Sequence, residues 1–147
     1  MPRTTRRRVL AAPRPDVWKT VGDPYHLPRW WPKVWRVEQV EADAFTEVLR
    51  TEKGTPVRAD FRLTELREPE AIAWRQVTEG TPFERFLAHA ETRVTLAEAD
   101  GGGTRVEVRQ EQRLRGLSRL GGFLMRSATR RQLDEALDAL EGLHAGR

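Results

Sequence analysis

A chain of 147 residues with 38 % hydrophobic and 33 % charged side chains has the size and polarity of one globular domain. It contains no cysteine, which excludes disulfides and thiolate metal sites, and its three histidines, His26, His89 and His144, show no ligand spacing, so no metal or other cofactor is expected. The net charge of +4 arises from 26 basic residues, nearly all arginine, dispersed among 22 acids; that mixing, with one short cluster at Arg6-Arg7-Arg8, points to a solvated surface and not to nucleic acid.

Basic residues open the chain, but the apolar run Val9-Leu10-Ala11-Ala12 that follows is four residues long. A signal peptide needs about 7–15 apolar residues and a spanning helix about 20. The expectation is a cytoplasmic protein without a transmembrane segment, built as a single domain over residues 1–147, monomeric or homodimeric.

Residues 4–12 read as a strand, which Pro13-Arg14-Pro15-Asp16 interrupts. Asp16 is placed to cap a short helix carrying Val17, Trp18 and Val21, ended by Gly22-Asp23-Pro24. A second short helix is predicted from Pro24 to Trp30 and stops at Pro32. Six strands follow, over 33–41, 44–52, 55–67, 71–78, 86–97 and 104–114, separated by turn residues such as Lys53-Gly54 and Pro69-Glu70. In the third of these, Val57, Ala59, Phe61 and Leu63 alternate with Arg58, Asp60, Arg62 and Thr64, the mark of a sheet with one wet and one covered face. Asp100-Gly101-Gly102-Gly103 is a hairpin loop. It cradles no phosphate, since neither a lysine nor a helix start follows.

The remainder, from Gly116 to His144, is helical with two apolar faces. Leu117, Leu120, Leu124 and Ala128 share one; Leu133, Ala136, Leu137, Leu140 and Leu143 share another, rotated by roughly 150°. Thr129 and Gln132 resemble a capping box that would let the helix restart there. The alternative is one straight helix that packs differently along its length. The order strand, two short helices, six strands, long helix defines an α+β fold whose curved seven-stranded antiparallel sheet needs the long helix to cover its apolar face.

The ordered set Ala11-Ala12-Pro13-Arg14-Pro15-Asp16-Val17-Trp18, Asp23-Pro24 and Leu27-Pro28-Arg29-Trp30-Trp31-Pro32 resembles the opening of the START-like (SRPBCC) superfamily, in its polyketide cyclase/dehydrase-like branch. Leu63–Pro69 with Trp74, the Asp100–Val106 hairpin and the Leu133–Leu143 helix resemble its later elements. The resemblance implies a helix-grip fold with a cavity for hydrophobic ligands between sheet and C-terminal helix. It transfers no catalytic residue, because the superfamily has no shared catalytic motif.

Phase along the strands then selects the candidate lining: Phe61, Trp74, Gln76, Thr92, Val108, Gln110 and Gln112 from the sheet, Leu120, Phe123, Leu124 and Ser127 from the helix, and Tyr25, Trp30 and Trp31 at the mouth. The three glutamines fall in phase with apolar residues. Buried, each needs a partner or a ligand at a cost of about 1–3 kcal/mol if unpaired; the alternative places them on strand ends open to water. His89, in phase with Glu91 and Arg93, reads as outer face. His26 lies near the expected mouth. Ser127 has no histidine or acid at a nucleophile's spacing.

Three functions remain open at this level. The first is binding of a small hydrophobic molecule such as a lipid, quinone or polyketide-like compound. The second is a cyclase, aromatase or dehydratase that folds a flexible chain in the same cavity, with Gln110, Gln112, Tyr25 or His26 steering protons. The third is a chaperone-cofactor-like protein-interaction module, which needs an exposed apolar patch in place of a deep cavity.

Overall fold

Alternating apolar and polar residues give seven strands: β1 (Arg3–Leu10), β2 (Val34–Glu38), β3 (Ala44–Arg50), β4 (Pro56–Arg67), β5 (Ala71–Val77), β6 (Leu87–Glu98) and β7 (Thr104–Leu114). They form one curved antiparallel sheet in the order β1-β7-β6-β5-β4-β3-β2. Strands β2 to β7 are a meander, and β1 closes onto β7. The computed structural model describes residues 3–116 and 119–145, the side chains of residues 119 and 120 excepted.

Between β1 and β2 lie α1 (Arg14–Val21), a single 3-10 turn at Pro24–His26, and α2 (Leu27–Trp30). Asp16 does not cap α1 as the sequence suggested: Pro13 holds that position, and Asp16 sits inside the first turn. There its charge still complements the positive end of the helix. Asp23 caps the following turn instead, its Oδ1 accepting from the amide of Tyr25 at 3.0 Å. In the hairpin between β6 and β7, Gly101 and Gly102 both hold positive φ. Gly103 packs so close to β1 that a Cβ there would fall on the Leu10 carbonyl oxygen.

The long helix α3 (Arg119–Leu143) is continuous through Thr129, so no restart occurs there. Its second half supplies Leu133, Ala136, Leu137 and Leu140, all fully buried, to one core with Val94, Leu96, Val106 and Val108 of the sheet and Val17, Trp18, Val21 and Leu27 of the short helices. Burial of each leucine contributes about 1.5–3 kcal/mol.

The basic cluster of β1 also has a structural role. Arg6 pairs with Val108 and Arg8 with Val106, so both arginines lie on the inward face of an edge strand. They run to the flank of α3: Arg6 meets Asp134 with two bonds of 2.8 and 2.9 Å, and Arg8 reaches Asp138 at 2.8 Å and Glu141 at 3.0 Å. These pairs set where the helix lies against the sheet edge, and inward charge there also discourages pairing with another chain.

Candidate ligand-binding cavity

Strand pairing lines up the inward side chains in rungs. On β7, Val106, Val108, Gln110 and Gln112 stand opposite Leu96, Val94, Thr92 and Ala90 of β6. Trp74 of β5 pairs with Thr92, and Gln76 pairs with Phe61 of β4. Phe61 in turn pairs with Phe45 of β3, and Ala59 with Glu47. Among these rungs, the Val106–Leu96 and Val108–Val94 pairs are apolar and the rungs beyond them carry polar groups.

The polar end encloses a cavity of about 410 Å³. Trp31, Phe61, Phe83 and Trp74 form its aromatic walls, Gln76, Thr92, Gln110 and Gln112 line the sheet side, and Gln132 comes from α3. Lys33, Arg50 and Glu52, which are exposed, lie at its rim. The aromatic walls are held by edge-to-face contacts, Trp31 on Trp74 at 5.7 Å and Trp31 on Trp30 at 5.4 Å, and by Phe45 stacked on Phe61 at 5.4 Å. Size and composition suit a small molecule with a mostly apolar body.

The polar groups are only partly satisfied within the protein. Gln110 Nε2 donates to Thr92 Oγ1 at 3.3 Å, and Thr129 of α3 donates to Gln112 Oε1 at 3.1 Å, tying the helix to a cavity-lining residue of the sheet. Gln110 Oε1, Gln76 Nε2 and Glu47 Oε2 are buried without a hydrogen-bond partner. Glu47 is 3 % exposed. Burial without a compensating cation pushes its carboxyl up to about 8, so it is a neutral acid at physiological pH.

The structure brings together Trp31, Phe61, Trp74, Gln76, Thr92, Gln110 and Gln112 of the residues selected by phase. Trp30 and Val108 are buried in the apolar core instead. Tyr25, Phe123 and Leu124 are 57 %, 56 % and 58 % exposed and do not reach the cavity wall. Ser127 is half-buried outside that wall. Leu117 and the side chain of Leu120 lie outside the described residues. The most consequential residue that the sequence reading missed is Glu47. Its signal was its phase: it alternates with Phe45 and Leu49 on one strand, as Gln110 does with Val108.

His26 belongs elsewhere, in a groove shared with Thr20 and His144 that has no residue in common with the cavity. Its Nδ1 faces the Lys19 carbonyl at 2.9 Å, and His144 Nε2 meets Thr20 Oγ1 at 2.9 Å. His89, Glu91 and Glu111 cluster with donor atoms within 4.8 Å of one another. These acids are engaged, Glu91 by Thr64 at 3.0 Å and Glu111 by Arg3 at 3.1 Å.

A long helix held in a curved antiparallel sheet over an interior cavity is the helix-grip, START-like fold. The family described as polyketide cyclase / dehydrase and lipid transport matches residues 1–144, and the chain belongs to it. Solved structures agree in fold. The di-domain ARO/CYC BexL superposes with a TM-score of 0.78 at 19 % identity over 97 % of this chain, which spans 46 % of that protein. The Zhui aromatase/cyclase from Streptomyces sp. R1128 gives 0.77 at 17 % identity, covering 97 % of this chain and 93 % of that one. A START superfamily protein from Mycobacterium smegmatis gives 0.78 at 13 % identity, covering 97 % and 96 %. No curated protein sequence matches the chain. Among the described residues, no helix is long and apolar enough to cross a membrane.

Proposed function

We propose that the chain, acting as one domain, binds a small hydrophobic molecule of the lipid, quinone or polyketide-like kind in the cavity between sheet and α3. The observation that carries this reading is an aromatic-walled space of about 410 Å³ whose lining residues include Glu47, Gln76 and Gln110, each with a buried polar atom that has no partner in the protein. A ligand supplies those partners and recovers the cost, about 1–3 kcal/mol for each, of leaving a polar atom buried and unpaired. The protein works in this reading as a cytoplasmic monomer or homodimer, which cell fractionation and sedimentation test.

Native mass spectrometry of gently purified protein, followed by organic extraction, tests the binding reading. A stoichiometric apolar passenger supports it. Failure of every lipid, quinone and polyketide surrogate to raise the melting temperature would sink it.

Conversion of the ligand by a cyclase or aromatase chemistry is the second reading, and Glu47 is the observation that favours it. An acid protonated near neutral pH in an apolar pocket is suited to proton transfer. It predicts that Glu47→Gln abolishes turnover while ligand binding persists.

A further inference from the structure

Glu47 is the one acidic side chain buried in the wall of the cavity; the other charged lining residues, Lys33, Arg50 and Glu52, are exposed at the rim. Its strand neighbours on the same rung are Val37 of β2 and Ala59 of β4. Neither offers a charge or a hydrogen bond from its side chain. The residues that β4, β5, β6, β7 and α3 contribute to the cavity are all uncharged. No ion pair among the described residues involves Glu47, and its Oε2 has no partner.

We propose that Glu47 sits in the cavity as a neutral carboxylic acid whose O–H donates a hydrogen bond to a carbonyl oxygen of an uncharged ligand. The inference rests on the reading that the cavity binds an apolar molecule, and it adds the ligand's polarity and charge. A protonated carboxyl has one donor and needs an acceptor. Gln76 Nε2, the second unpartnered donor on the wall, asks for the same thing. A fatty-acid carboxylate would enter a wall with no buried cation to receive it. A ligand ammonium would require Glu47 to ionise inside the protein, and such a pair must overcome the desolvation of both charges.

A matched set of three-ring probes isolates the contact. Fluorene and 9-fluorenone have nearly the same shape and differ in a methylene against a carbonyl. 9-Aminofluorene below neutral pH adds a cation, and fluorene-9-carboxylate an anion. Binding is read at pH 6 from the fluorescence of Trp31 and Trp74 and checked by calorimetry. The wild type is expected to hold 9-fluorenone about tenfold more tightly than fluorene, the size of one buried hydrogen bond. That preference disappears at pH 10, where the ionised carboxylate has no proton to donate.

Glu47→Leu is expected to bind both neutral probes equally at either pH. Glu47→Gln is expected to keep the ketone preference at both, since an amide donates at every pH. A ketone preference that survives in Glu47→Leu overturns the proposal, as does tightest binding of 9-aminofluorene or of the carboxylate. Should either variant fail to fold, carbon-13 NMR of the wild-type carboxyl decides: a Glu47 already ionised at pH 6 overturns the assignment. If fluorene and 9-fluorenone both fail to bind while NMR shows Glu47 protonated, the cavity reading itself has failed.

Discussion

The two ends of the inward sheet face are built from the same strands and do opposite things. At one end Val106 and Val108 of β7, Val94 and Leu96 of β6 and Ile72 of β5 meet Leu133, Leu137 and Leu140 of α3 in a core that excludes water. Further along each strand the composition changes, after two residues at Gln110 on β7 and Thr92 on β6, and after four, past Trp74, at Gln76 on β5. The helix changes at the same level, from Leu133 to Gln132 and Thr129. A change made on one element would leave a local polar defect. Made in step on four, it divides one interior into an apolar packed half and a half whose cavity is lined by polar side chains.

The sharpest way to break this comparison is Leu137→Ala. If the apolar end holds the fold, denaturant unfolding shows a loss of about 2–5 kcal/mol. Gln132→Ala, less than two turns away at the cavity, is expected to cost under about 1 kcal/mol; equal losses would erase the distinction between the ends. Next in size is the pH dependence of Glu47. Its folded value of about 8 lies above the 4.5 of a free carboxyl, so both states are neutral below pH 4.5. Between pH 4.5 and 8 the unfolded chain loses its proton and the native state keeps it, so stability falls across that window and levels off above it.

Glu47→Gln removes this slope. It is expected to be about 3 kcal/mol more stable than wild type at pH 7 and equal to it at pH 4, measured by urea titration at each pH. A smaller effect should follow from the pair Thr92→Val with Gln110→Leu, which deletes a hydrogen bond together with the unpartnered Gln110 Oε1. Replacing both polar partners is expected to be neutral or stabilising by about 1 kcal/mol, while weakening ligand binding. A loss beyond about 2 kcal/mol would mean that this end, too, is structural.

The smallest effect lies on the outer face. Hydrogen bonds from Arg93 and then Arg67 hold Glu65 down to about 2. The sign is the reverse of Glu47: the stabilisation is present above pH 4.5 and is lost as pH falls toward 2. Because the group is partly exposed, solvent screening limits the loss to about 1 kcal/mol, absent in Glu65→Gln. Acid titration should therefore separate the two carboxyls by direction.

Much of this division was legible in the sequence. The step from Val106 and Val108 to Gln110 and Gln112 stands in the period of two, and the buried stripe of α3 stands in the spacing of Leu133, Ala136, Leu137 and Leu140. What stayed hidden depends on neighbours far away in the chain. Glu47 has the same phase as Phe45, but a glutamate in a strand is ordinarily exposed, and only the cover of the finished cavity buries it. Phe123 and Leu124 form an apolar helix face, yet nothing local says that the sheet does not lie beneath them. Thr129 carries the pattern of a helix start, but its hydroxyl donates to Gln112 of the sheet, and the helix runs on unbroken. Arg6 and Arg8 read as solvated charge until their partners on α3, more than 120 residues on, are in place.

The continuity of α3 has a kinetic consequence. One end is fixed among fully buried leucines; the other carries Phe123 and Leu124 in solvent and meets the sheet through the Thr129 hydroxyl. Amide hydrogens along a single helix should then exchange with deuterium in two regimes. Those near Leu133 to Leu140 wait for global unfolding, and those before Thr129 exchange through local fraying. A bound ligand that braces Gln112 and Gln132 would slow the second regime more than the first, so the protection step along one helix would report occupancy of the cavity from the backbone itself.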